Sequence, residues 1–177
     1  MLEIVYYVAS SVDGYIAPTD GSLDWLAPFE GMSEDYGYAA FYDSVDSLLV
    51  GSRTYRQVLE FDDWPYPGKP TWVFSHTPLP TDELDITVTH RTPLEVVAEL
   101  EALGLRRPWL VGGGVLAGAF QAAGLIAEYI VSTIPVVLGS GVALLGGSGS
   151  LSRLALIDTK RYPGGVLQSR YRPHGDA

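Results

Sequence analysis

The chain has no cysteine, which excludes disulfides, zinc–thiolate centres and a cysteine nucleophile. Lysine is nearly as scarce, with only Lys69 and Lys160. The three histidines, His76, His90 and His174, lie far apart in sequence without metal-ligand spacing. No basic cluster exceeds Arg106-Arg107, and 21 acidic residues against 11 basic ones give a formal net charge of −10. Binding nucleic acid needs a basic face to neutralise phosphates, so that class of partner is excluded. Apolar runs are short too. Gly, Pro or charge breaks each one before the roughly 20 residues that a membrane span needs, and no basic segment precedes the first of them as in a secretory leader. A soluble, cytoplasmic protein is expected.

What remains is the composition of an ordered globular chain. Its 177 residues suit a single domain over 1–177 with a full core, and hydrophobic content of 47% against 18% charged leaves only residues 174–177 with a disordered character. The most informative stretch is Trp109-Leu110-Val111-Gly112-Gly113-Gly114, a short apolar strand running straight into the helical segment Val115 to Gln121. Glycines at such a junction let a bound group approach the backbone, and the first N–H groups of the helix point at it, which makes an anion site. Ser47-Leu48-Leu49-Val50-Gly51 followed by Ser52-Arg53-Thr54-Tyr55-Arg56 repeats the arrangement. Two such junctions in one sheet suit the two ends of a dinucleotide. A glycine-rich turn also serves simply to pack a helix on a sheet, and that alternative stays open. Neither junction continues into Gly-Lys-Ser/Thr, which excludes a P-loop kinase.

Taken in order, Glu3 to Ala9 reads as a buried central strand, and Ser10 to Ser22 as a long loop of the kind that forms lids. Asp24-Trp25-Leu26 closes that loop. A helix is expected from Ser33 as N-cap to about Ser44, with Glu34 and Asp35 favourably placed in its first turn. Strands follow at Ser47 to Gly51, Thr71 to Ser75 and Ile86 to Thr89, and an amphipathic helix at Pro93 to Leu103. After the glycine junction come a strand over 129–138 and a hairpin, Leu154 to Arg161 and Gly165 to Arg172, around Tyr162-Pro163-Gly164. Strands alternating with helices and then strands alone predict an α/β fold, mostly parallel with an antiparallel end.

Four segments carry a family resemblance: Ala9 with Val12-Asp13-Gly14-Tyr15-Ile16-Ala17, Gly51-Ser52-Arg53-Thr54-Tyr55, Val111-Gly112-Gly113-Gly114, and Ile134-Pro135-Val136-Val137-Leu138-Gly139-Ser140-Gly141. In order and approximate spacing the chain resembles dihydrofolate-reductase-like proteins. It is most similar to the branch holding the reductase domain of the bifunctional riboflavin-biosynthesis deaminase/reductase and its stand-alone bacterial relatives. The resemblance implies a three-layer fold, NADPH or alternatively NADH as cofactor, and a homodimer. It also implies that Ala9 and Ile16 flank the nicotinamide under a lid, that Ser52, Arg53 and Thr54 grip phosphate together with Gly113, Gly114, Val115 and Leu116, and that Gly51, Val111 and Gly112 belong to the same cofactor site. The 2′-phosphate falls to Ser75 and His76, with Arg53 reaching in; many relatives have arginine at or beside His76.

A cofactor that supplies hydride leaves the protein to position an acceptor and assist protonation. A carboxyl whose pKa burial has raised is the expected device, and the candidates are Glu30, Glu34 and Asp35. Asp35 is preferred because Tyr36 and Tyr38 flank it; solvated helix-start acids are the alternative. Trp25, Tyr36, Tyr38 and Phe41 suit stacking on a planar heterocycle, or equally a core. Asp13 is read as supporting a turn with Gly14. The expected activity is NAD(P)H-dependent reduction of a C=N or C=O bond in a pterin, pyrimidine or similar small heterocycle. The alternative is a non-catalytic NADP-binding module acting as sensor or scaffold.

Overall fold

The computed structural model describes residues 2–30, 35–61, 63–81, 85–147 and 151–175. Its frame is an eight-stranded sheet: β1 (Ile4–Ser11), β3 (Ser47–Gly51), β4 (Thr71–Phe74), β5 (Ile86–Thr89), β6 (Pro108–Gly112), β7 (Ile126–Ile134), β9 (Leu154–Arg161) and β10 (Leu167–Pro173). The spatial order is β5-β4-β3-β6-β1-β7-β10-β9. The first six positions pair in parallel, and β10 then runs antiparallel to both β7 and β9. This is the mostly parallel α/β sheet with an antiparallel end that the alternation of elements predicts. Central strands read as continuous apolar runs because both faces are covered. Ile4, Tyr6, Leu49 and Leu110 meet α4 (Pro93–Ala102) and α5 (Gly114–Ala122) on one face. Val5, Leu48, Val50 and Trp109 meet α2 (Tyr38–Ser44) and α3 (Ser52–Val58) on the other, the single-turn α1 (Ala27–Glu30) lying before them in the chain.

Charge pins the end of the sheet opposite the carboxyl ends of the parallel strands. Glu128 at the start of β7 is 2% exposed, yet Arg107 donates to it at 2.9 Å and Arg170 of β10 pairs with it as well. Burial pushes the Glu128 carboxyl up, but the two guanidiniums outweigh it and hold the pKa below the usual carboxylate value.

Three sequence expectations are corrected. The loop 10–22 is not free of structure: β2 (Tyr15–Ala17) pairs with β8 (Val142–Ala143). The N–H groups of Leu138 and Gly139 donate to the Asp13 carboxylate at 3.1 and 2.7 Å. Asp13 thus ties two distant loops together in addition to bordering Gly14. The helix expected from Ser33 starts only at Tyr38, because Tyr36 and Gly37 take left-handed φ of 54° and 77°; Ser33 itself lies outside the described residues. The strand expected to reach residue 138 stops at Ile134, before Pro135, which lacks an N–H for the ladder. Among the described residues no helix is long and apolar enough to cross a membrane.

Candidate functional site

The carboxyl ends of β1, β3, β4 and β6 open into a cavity of about 770 Å³, where open α/β sheets bind ligands. Its lining includes Ala9, Ile16, Gly51, Ser52, Arg53, Thr54, His76, Val111, Gly113, Gly114, Val115 and Leu116. Most of the cofactor set read from sequence therefore converges on one space. Gly112 is left out of the lining; it carries the turn, with φ 118° and a cis peptide to Gly113. Ser75 is left out as well. Its hydroxyl donates to the Thr77 carbonyl at 2.8 Å and accepts from the Thr77 N–H, so the turn after β4 uses it locally.

Helices α3 and α5 both begin on a glycine N-cap, Gly51 and Gly113, with no side chain capping either. The close packing there is what the alternative, a helix packed on a sheet, calls for: a Cβ on Gly51 would come within 3.3 Å of the Gly112 carbonyl. A different pressure fixes the glycines inside α5. A Cβ on Gly114 would lie 2.0 Å from the Ala143 carbonyl, and one on Gly118 would lie 1.7 Å from that of Gly146. The strap 142–146 lies directly on the helix, and the Gly146 N–H donates to the Gly114 carbonyl at 2.8 Å. The two bare helix starts and their lining fit an anionic dinucleotide: backbone donors and helix dipoles meet phosphate, and the apolar wall meets the rings.

Arg53 does not reach the end of β4. Its Nη2 donates to the Thr19 carbonyl at 3.4 Å, while Gln57 Nε2 donates to the Gly21 carbonyl at 2.8 Å, so α3 holds the loop after β2. The guanidinium at the turn after β4 belongs to Arg56, whose Nη2 donates to Thr77 Oγ1 at 3.2 Å. Sequence reasoning missed Arg56 because it lies one helical turn beyond the glycine junction.

Tyr7, Ala9, Leu26 and Tyr38 are shared with a smaller adjoining cavity of about 210 Å³, which Phe29, Asp35, Tyr36, Ser132, Ile134 and Val166 complete. Tyr7 was missed by sequence reading, although alternation along β1 places it on the face of Ala9. Its ring stacks on Phe41 at 4.3 Å, and burial pushes its hydroxyl pKa up to about 12. Of the four aromatics expected at the substrate, Tyr36 and Tyr38 line this space. Phe41 is buried behind Tyr7, and Trp25 packs against the cluster of Ile134, Tyr162 and Val166.

Among the three candidate acids, the structure places Asp35 at the smaller cavity. Glu34 and the side chain of Glu30 lie outside the described residues. Asp35 lacks the burial expected of a proton reservoir. The N–H groups of Gly37 and Ala39 donate to it at 2.8 and 3.2 Å and, with the charge of Lys160, hold its pKa below the usual value. It is a carboxylate, not a carboxylic acid, near neutral pH.

The family model for the RibD C-terminal domain matches residues 3–168. The uncharacterized protein YwjB of Bacillus subtilis (strain 168) is 36% identical over 170 residues, 96% of this chain and 97% of its own. A putative riboflavin biosynthesis protein from Shewanella sp. PV-4 has a solved structure that matches with a TM-score of 0.86 at 32% identity, over 99% of this chain and 100% of that one. The diaminohydroxyphosphoribosylaminopyrimidine deaminase/5-amino-6-(5-phosphoribosylamino)uracil reductase of Thermotoga maritima shares the fold, with a TM-score of 0.74 at 12% identity over 98% of this chain and 57% of that one. The chain belongs to the RibD C-terminal domain family.

Proposed function

We propose that the chain is an NADPH-dependent reductase that transfers hydride to a C=N or C=O bond of a small heterocycle. The observation that carries this reading is the joined pair of cavities: a large one between two uncapped helix starts, opening at Tyr7 and Ala9 into a small aromatic one. NADPH bound in the large cavity supplies the hydride, and the acceptor gains that hydride and one proton. The chain's own contributions are local. Backbone donors at Gly113 to Leu116 and the side chains of Ser52, Arg53 and Thr54 bind phosphate, and Arg56 and His76 stand at the turn after β4 for a 2′-phosphate. Ala9 and Ile16 flank the nicotinamide, and the loop held by Arg53 and Gln57 excludes water. Asp35, already ionised, orients N–H groups of the acceptor, and the proton comes from solvent.

Calorimetric titration with NADPH and NADH tests the cofactor half, and loss of nicotinamide absorbance on adding heterocycles tests turnover. Binding of neither nucleotide sinks the assignment. Binding without turnover of any heterocycle favours the non-catalytic module. The exposed Leu156 and Ile157 on edge strand β9 support a homodimer, to be checked by light scattering.

A further inference from the structure

Hydride transfer to a C=N or C=O bond leaves a basic nitrogen or oxygen that must be protonated, and Asp35, already ionised, has no proton to give. Among the described residues lining the smaller cavity, the neutral proton donors are the hydroxyls of Tyr7, Tyr36, Tyr38 and Ser132. Tyr36 directs its proton to the Phe29 carbonyl at 2.8 Å. Tyr38 stacks on Tyr42, and its hydroxyl lies within electrostatic reach of those of Tyr42 and Tyr66. Ser132 is an alcohol, a far weaker acid than a phenol. Tyr7 is better placed. It lines both cavities, as Ala9 does on the same face of β1, so it stands where the proposed cofactor and acceptor meet. Its ring is clamped, stacked on Phe41 at 4.3 Å and edge-on to Trp109 at 6.1 Å. Its hydroxyl donates to the Tyr36 carbonyl at 3.4 Å, a long bond to an oxygen that Gln168 Nε2 also engages at 3.2 Å. A proton held that loosely is readily redirected to a better acceptor. The Gln168 side chain, steadied by Ser132 Oγ at 3.0 Å, hydrogen-bonds the Tyr7 hydroxyl as well, and that contact favours the phenolate.

We propose that Tyr7 is a catalytic residue, the group that hands the solvent proton to the acceptor. As the acceptor carbon gains hydride from reduced nicotinamide, the π electrons of its C=N or C=O bond move onto nitrogen or oxygen. That atom takes the phenolic proton, forming N–H or O–H, and the phenolate left on Tyr7 takes a proton from water. Burial first, then the neighbouring Tyr162 and the Asp35 carboxylate, disfavour the phenolate, so the proton is regained and each turnover starts from the neutral hydroxyl. This role rests on the reductase reading for the hydride and adds the route of the proton.

Two measurements on the full chain test it, with 7,8-dihydrofolate and 5-amino-6-(5-phosphoribosylamino)uracil as probes. The first needs no cofactor: in protein isotope-labelled at the tyrosine ζ carbon, the NMR resonance that Tyr7→Phe removes should shift when a probe binds. The second is the single-turnover loss of nicotinamide absorbance. Tyr7→Phe keeps the ring that packs on Phe41 and leaves the Tyr36 carbonyl with Gln168 as partner. In that variant the rate should fall about a hundredfold while probe affinity stays within about threefold. A resonance that neither probe moves, or a rate that falls less than about tenfold, overturns the proposal. So does a loss of affinity as large as the loss of rate, which would make Tyr7 a binding group only. If the resonance moves but the native chain reduces neither probe, the reductase reading falls and the proton role with it, while the contact between Tyr7 and the ligand stands.

Discussion

Helices α4 and α5 start in opposite ways. Helix α4 is closed by its own residues: Thr92 Oγ1 accepts the Glu95 N–H, and the Glu95 carboxylate accepts the Thr92 N–H at 2.8 Å, with Pro93 supplying no donor to satisfy. Helix α5 starts on Gly113 with no side-chain cap and no acid in its first turn, and it faces the large cavity. The first helix carries its own anion; the second has none at its start. A capped helix start satisfies its own donors, whereas an uncapped one beside a cavity leaves donors facing that cavity, which is where the reductase reading proposed above puts phosphate.

The largest break in this comparison is Gly114→Ala. Its Cβ would strike the Ala143 carbonyl, and because backbone must move, a loss of at least about 3 kcal/mol is expected in denaturant unfolding, with NADPH binding lost as well. Gly113→Asp gives α5 the anion it lacks. Gly113 has an extended φ of −77° that any residue adopts, and its Cβ would meet Thr54 Oγ1 at an ordinary 3.4 Å. Stability should rise by a few tenths of a kcal/mol while NADPH affinity falls at least tenfold; unchanged affinity would show that the α5 start does not hold phosphate. Thr92→Ala should do the reverse, costing about 1 kcal/mol in unfolding and leaving NADPH affinity where it was.

The smallest effect is a titration. Hydrogen bonds from the Thr92 hydroxyl and N–H hold the Glu95 carboxyl below its ordinary value of 4.5. A depressed folded pKa means that the capping box contributes fully above about pH 4.5 and is lost as pH falls through the lower folded value. The protection of first-turn amides of α4, relative to the intrinsic exchange rate at each pH, should therefore fall in acid, and Glu95→Gln should remove the change.

The fold was legible where each local pattern had one solution. Val50-Gly51-Ser52 and Gly112-Gly113-Gly114 sit where strand becomes helix, and the apolar runs of β1, β3 and β6 are the buried centre. Illegible features depend on partners far away in sequence. Nothing near Asp13 announces Leu138 and Gly139, and nothing near Gly118 announces the Gly146 carbonyl. At Asp35 the residue types pointed to a side chain that does line a cavity, but its ionisation depends on Gly37 and Ala39 N–H groups that a left-handed turn, invisible in composition, brings round.

The placement of β1 sets a timetable for folding. Its first residues pair with β6 and β7, Val5 opposite Trp109 and Ile4 opposite Ile126, so this strand finds its sheet neighbours only after more than a hundred further residues exist. Contacts that span so much chain form slowly, because the loop entropy is lost before they repay it. During synthesis Ile4, Val5 and Tyr6, almost wholly buried in the finished protein, emerge before the strands that pair with them. Chaperone dependence and aggregation of nascent chain should therefore be governed by this N-terminal strand, with cooperative folding beginning once β7 has left the ribosome.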